Sequence, residues 1–212
     1  MVISFWSAKG GSGTTVTAAA VALTLRRSAP TARPSFLLSR CGTAPSADPP
    51  PGVLVVDASG DLAAVLGIPE PEGPGLAEWL AAGADVPPDG LGRLEVAVDE
   101  EVSFVPRGRG PLVDSGRAEL LAAMLANDAR HVVIDCGCLA GPLATTADSE
   151  VRRILAASST TSILATRSCF LALRRAIHGV QRPGAVVLIA EPGRTLTAAD
   201  VSAVLDVETV VT

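Results

Sequence analysis

The sequence of 212 residues contains no tyrosine, and its few Phe and Trp bring the aromatic share to 3%. Stacking platforms for bases or sugar rings are therefore scarce, and the core has to be built from Ala, Val and Leu. Histidine occurs at 131 and 178, cysteine at 41, 136, 138 and 169. Cys136 and Cys138 make one close pair without a second knuckle or a neighbouring histidine. That is a poor basis for a metal site, and free thiols in a reducing cytoplasm are expected. No apolar run approaches the ~20 residues of a membrane span, and the N-terminus lacks the basic lead, apolar stretch and cleavage site of a secretion signal. Charged residues are only 18% against 48% hydrophobic, a balance that excludes a disordered chain. The formal net charge of −5 argues against broad attraction to DNA or anionic lipid. Contact with DNA would rest on the pairs Arg26–Arg27, Arg152–Arg153 and Arg174–Arg175, which read first as solvated helix ends. Lysine is the scarcest cation: of the 17 basic residues all but Lys9 are arginine.

What is present is an alternation of short apolar runs with helical patterns, the signature of a mostly parallel sheet covered by helices on both faces, a three-layer α/β architecture. The pattern predicts strands over 2–7, 52–57, 102–105, 131–135, 161–166 and 185–190, with a last one near 207–211. Helices are predicted over 15–28, 75–82, 115–127, 149–157, 168–180 and 198–205, the last opened by a capping box in which Thr197 is followed by Asp200. A proline-rich surface segment at 29–52 breaks the rhythm around a shortened or edge strand, and a second proline-glycine connector runs over 69–75. Neither is long enough to separate domains, so residues 1–212 read as one unit.

Lys9 falls within SAKGGSGTTVTA at 7–18, directly behind the first apolar run and before an alanine-rich helix. Backbone amides of a glycine-rich turn at that place form an anion nest, and the helix that follows adds its positive end. Against the template G-x-x-x-x-G-K-[ST], Gly13 and Thr15 are in place, but Ala8 stands at the first glycine and Thr14 at the lysine.

The stretch fits K-G-G-x-G-x-T better, as Lys9, Gly10, Gly11, Ser12, Gly13, Thr14 and Thr15. This resembles the deviant Walker A loop of the ParA/MinD family of P-loop ATPases. The segment VLVVDASGDLAAVLGIPEPEGPGLAEWLAAG at 53–83 resembles the family's second core strand and switch region, and HVVIDCG at 131–137 its Walker B strand. The likeness runs through most of the chain and is greatest to the CpaE/TadZ branch. It implies a P-loop NTPase fold in which Gly10, Gly11, Ser12, Gly13, Thr14 and Thr15 cradle the phosphates of ATP. Thr15 and Asp135 would hold Mg²⁺, Asp57 would take part in catalysis, and Lys9 would reach the nucleotide of a second copy. It further implies a homodimer acting on a protein partner of a pilus, septum or partition system, cytoplasmic and brought to the pole or inner membrane through that partner. The second lysine is replaced by Thr14, the second switch aspartate by Ser59, and the base-reading segment by AEPGR at 190–194. Hydrolysis is therefore expected to be slow, and a scaffold that has lost it is the alternative.

Other readings of the same residues remain. A glycine-rich turn can be purely structural, and Asp57 and Asp135 can be ordinary strand-end carboxylates. Ala8, Gly10 and Gly13 also fit a dinucleotide fingerprint loosely, but the acidic residue expected about 20 positions onward is missing. Trp6 and Trp79 are expected to serve packing.

Overall fold

A computed structural model describes residues 1–28, 52–83, 88–139, 146–179 and 181–211. The strands are β1 (Val2–Ser7), β2 (Val53–Asp57), β3 (Val96–Ala97), β4 (Val102–Val105), β5 (His131–Cys138), β6 (Thr161–Arg167), β7 (Ala185–Ile189) and β8 (Glu208–Val211). The helices are α1 (Thr14–Ser28), α2 (Leu62–Leu66), α3 (Leu76–Ala81), α4 (Ser115–Ala126), α5 (Ala147–Ser158), α6 (Phe170–His178) and α7 (Ala198–Leu205), with a 3-10 turn at Pro88–Leu94. The strands form one sheet in the order β3-β4-β2-β5-β1-β6-β7-β8. Among the described residues only the two-residue β3 runs antiparallel to its neighbour.

A parallel sheet has to be covered on both faces, and its strands accordingly read as continuous apolar runs. All five residues of β2 are buried. Side-chain alternation divides the core. Trp6, Leu54 and Ile134 pack with Leu76, Leu121, Leu155, Leu173 and Val201, so α3 to α7 contribute to one face. Phe5, Val55 and Val133 pack with Ala18, Ala22 and Leu62, so α1 and α2 cover the other. Both tryptophans lie in the first of these layers. Trp6 donates its indole N–H to Ser162 Oγ at 3.0 Å. Trp79 lies 3.9 Å beneath the Arg117 guanidinium, which reaches it from α4.

The seven expected strands and six expected helices are present, with shifted ends. β5 runs three residues beyond Asp135, and α5 starts at Ala147, where Thr146 caps it by accepting the Ser149 amide. The box at Thr197 forms as read: its hydroxyl accepts the Asp200 amide, and the Asp200 carboxylate accepts the Thr197 amide at 2.9 Å. The expected edge strand of the proline-rich segment lies outside the described residues. Among the described residues three elements are additional, α2, β3 and the 3-10 turn at Pro88–Leu94; α2 and β3 are too short to show a hydrophobic period.

Strand order positions the functional face. β5 inserts between β1 and β2, which places Asp57 and Asp135 side by side in register. The β1–β5 register slips between Phe5 and Ser7, where the chain leaves the sheet for the glycine loop.

Candidate functional site

The loop leaves β1 at Ser7 and enters α1 at Thr14. Gly11 and Gly13 have φ of +75° and +82°, a left-handed backbone that glycine adopts without a Cβ penalty. Ser12 Oγ donates to Lys9 O at 2.7 Å and closes the turn from inside. The Thr17 amide and hydroxyl both donate to Gly13 O at 2.9 Å, anchoring the loop to the first turn of α1. A cleft of about 390 Å³ opens over the loop, lined by Gly10 to Val16, and by Ser59, Asp61, Gly137 and Arg152 across from it. Amides at a helix start, facing an open concavity of this size, suit a phosphate chain.

Lys9 does not line that cleft. Its charge is felt at Cys169, the residue before α6. The Ala172 and Leu171 amides there, with Lys9 and Arg194, hold the thiol below its ordinary range.

Asp57 ends β2, and both of its oxygens are occupied. Oδ1 accepts the Ser59 amide at 2.8 Å and the Gly60 amide at 2.7 Å, and Oδ2 accepts the Leu62 amide at 3.1 Å. The carboxylate therefore shapes the turn into α2 and covers amides at that helix start. Asp135 is fully buried at the neighbouring strand end. Its Oδ2 accepts Ser59 Oγ at 2.7 Å and its Oδ1 accepts the Gly137 amide at 2.9 Å. Burial pushes the Asp135 carboxyl above the ordinary range, with the Asp57 charge adding to the rise, against the opposing pull of Ser59, Thr15 and the Gly137 amide.

Thr15 lines the cleft, and Asp135 stands behind Ser59 and Gly137, which line it too. Among the described residues no group of three or more His, Cys, Asp or Glu side chains could hold a metal by itself. One hydroxyl and one carboxylate oxygen next to a phosphate site do suit Mg²⁺, a hard cation that keeps waters and completes its shell with substrate phosphates.

The sequence matches no protein-family model and no curated protein sequence. Solved structures, by contrast, superpose over nearly the whole chain. The septum site-determining protein MinD from Pyrococcus horikoshii OT3, complexed with Mg-ADP, is similar with a TM-score of 0.68 at 19% identity, over 99% of this chain and 79% of that one. The fold is that of the ParA/MinD ATPases. A ParA family ATPase from Chlorobium tepidum TLS is similar with a TM-score of 0.65 at 17% identity, over 99% of this chain and 82% of that one. A Cyanothece McdA variant in complex with ATP gives 0.65 at 15% identity, over 99% and 81%.

Within this ParA/MinD fold, Gly10 to Thr15 line the cleft, Asp135 stands beside it behind Ser59 and Gly137, and Asp57 is turned into its own loop. Ser59, Gly137 and Arg152 also line the cleft, a place that sequence reasoning did not give them. Ser59 and Gly137 fall inside the two aspartate-bearing segments, whereas no motif covers Arg152. Ser59 stands two positions after a strand-end aspartate and Gly137 two after the other, and Arg152 stands four positions after Asp148 on one helix face.

Proposed function

We propose that this chain is a nucleotide-dependent positioning or assembly factor of the ParA/MinD type, with a deviant Walker A loop and a likeness to the CpaE/TadZ branch. Two copies sandwich ATP and Mg²⁺ and recruit a protein partner of a pilus, septum or partition system. The chain acts in the cytoplasm and is brought to the pole or inner membrane by that partner. No helix among the described residues is long and apolar enough to cross a membrane.

The observation that carries the reading is the glycine-lined cleft that ends on the β5 strand end: Thr15, Ser59 and Gly137 all line it, and Ser59 Oγ and the Gly137 amide both donate to Asp135 behind them. Amides of Gly10 to Thr14 bind the phosphates, while Thr15 and Asp135 would hold Mg²⁺, which neutralises charge that develops on the phosphate oxygens. Lys9, outside its own cleft, is available to a second copy. Hydrolysis is slow, because Thr14 supplies no ammonium and Asp57 is occupied by its own turn. Each preorganised donor that is missing costs about 10²–10³ in rate.

That occupied Asp57 also favours a second reading, a scaffold that dimerises without turnover and serves as a protein-interaction module. Calorimetric titration of Mg²⁺–ATP into the wild type and Lys9→Ala, with molecular mass followed in parallel, separates the two. Binding with ATP-dependent dimerisation that requires Lys9 supports the switch. A permanent dimer without turnover selects the scaffold, and a monomer that binds no nucleotide refutes both.

A further inference from the structure

The loop has no lysine at position 14, and Lys9 does not line its own cleft. Among the described residues lining the cleft the only cation is Arg152, which projects from the second turn of α5. We infer that Arg152 is a phosphate-binding residue of this site, supplying from α5 the positive charge that the loop lacks. The inference rests on the phosphate-binding reading above and adds to it the group that meets the outer phosphates.

The guanidinium is held ready for that role. Its Nη2 pairs with Asp148 Oδ2, and its Nε donates to Asp148 O at 3.3 Å, a fork on the preceding turn of the same helix. Its Nη1 makes only a long bond to Cys136 O, at 3.4 Å. A guanidinium carries more N–H donors than these contacts use. Asp148 does not cancel its charge, because the same carboxylate also pairs with Arg107 at 2.6 Å. Two guanidiniums on one carboxylate leave this group of three side chains with a net positive charge, of which Arg152 is the part that reaches the cleft.

Gly137 keeps the way open. It lies two residues past Asp135 with φ of +62°, and a Cβ there would stand 3.5 Å from Arg152 Nη1 and 2.9 Å from Ser59 Cβ. Arg152 is therefore on the side of the cleft where Thr15 and Asp135 would hold Mg²⁺. Mg²⁺ held by Thr15 and Asp135 would neutralise charge on the phosphates beside it. A planar fork of N–H donors suits phosphate oxygens there.

The test uses the full chain and calorimetric titration of Mg²⁺–ATP and Mg²⁺–ADP into the wild type and Arg152→Gln. Losing a charge-assisted hydrogen bond to phosphate is expected to weaken ATP binding by about 10- to 100-fold. ADP, one phosphate shorter, is expected to lose less. ATP affinity within about twofold of the wild type in a folded Arg152→Gln protein overturns the inference while leaving the phosphate site standing. A wild type that binds neither nucleotide removes both. Should Arg152→Gln fail to fold, the wild type decides through modification by phenylglyoxal. ATP is expected to protect Arg152 and not Arg153, which is engaged with Glu150 on the outer face of the same helix. Equal modification of Arg152 with and without ATP overturns the inference.

Discussion

Ser59 Oγ donates to Asp135 Oδ2 at 2.7 Å while lying 3.1 Å from Asp57 Oδ1, so a single hydroxyl stands between two buried carboxylates. Asp57 and Asp135 end neighbouring strands in register, and the Asp57 charge makes ionising the buried Asp135 more costly. Removing the hydroxyl leaves Asp135 less satisfied and nearer to its neighbour in effect. Ser59→Ala is expected to destabilise the fold by about 1–3 kcal/mol. Thermal unfolding followed by circular dichroism checks this, and an unchanged midpoint would show that the bridge carries no stability.

Gly137 and Gly67 separate two costs of replacing glycine. Both have positive φ, +62° and +72°, but a Cβ on Gly137 would meet Ser59 and Arg152, whereas one on Gly67 would meet nothing within 4 Å. Gly67→Ala is expected to cost about 1–2 kcal/mol for the left-handed backbone alone. Gly137→Ala is expected to cost roughly 2–4 kcal/mol, since Ser59 must also shift. Urea unfolding of the two variants measures the difference; equal losses would mean that the β5 end yields freely.

Asp148 gives the fold an acid-sensitive joint. Burial alone would raise its pKa, but the Leu112 amide and the Arg152 and Arg107 guanidiniums outweigh that and hold the carboxyl below its ordinary range. A carboxyl depressed in the folded state contributes stability that is complete above its unfolded pKa, about 3.9, and is lost as pH falls through the folded value. Asp148→Asn is expected to cost about 1–3 kcal/mol at pH 7, with the gap to the wild type narrowing below about pH 4. Urea unfolding at pH 7 and at pH 3 reads the two gaps, and a gap independent of pH would contradict the pairing.

The sequence made the β1–loop–α1 unit legible because glycine spacing, an apolar run and an alanine-rich helix all agree there. Strands such as β2 and β5 were legible as unbroken apolar runs closed by aspartate. The chemistry of those aspartates was not. Asp57 reads as a free strand-end carboxylate until the Ser59, Gly60 and Leu62 amides are seen turning back onto it, and a sequence does not display which amides are unpaired. Arg152 reads as one half of a solvated arginine pair. Only the packing of α5 against the end of β5 brings it to the cleft, and a helical period does not report which neighbour a face meets. The five-residue α2 is set by the Asp57 turn and by Gly67 in place of any pattern of its own.

The placing of β5 between β1 and β2 has a consequence for biosynthesis. A nascent chain carries its complete glycine loop early, yet β1 and β2 are not hydrogen-bonded partners, and the strand that joins them is translated much later. Until β5 is threaded into the gap, the cleft lacks the strand end that carries Asp135 and Gly137, and Asp57 has no neighbour in register. Such long-range closure is the slow part of forming a parallel sheet. Nucleotide bound at this site would accordingly add its stabilisation only to chains that have finished folding, so that occupancy marks mature molecules and leaves partly made ones unclaimed.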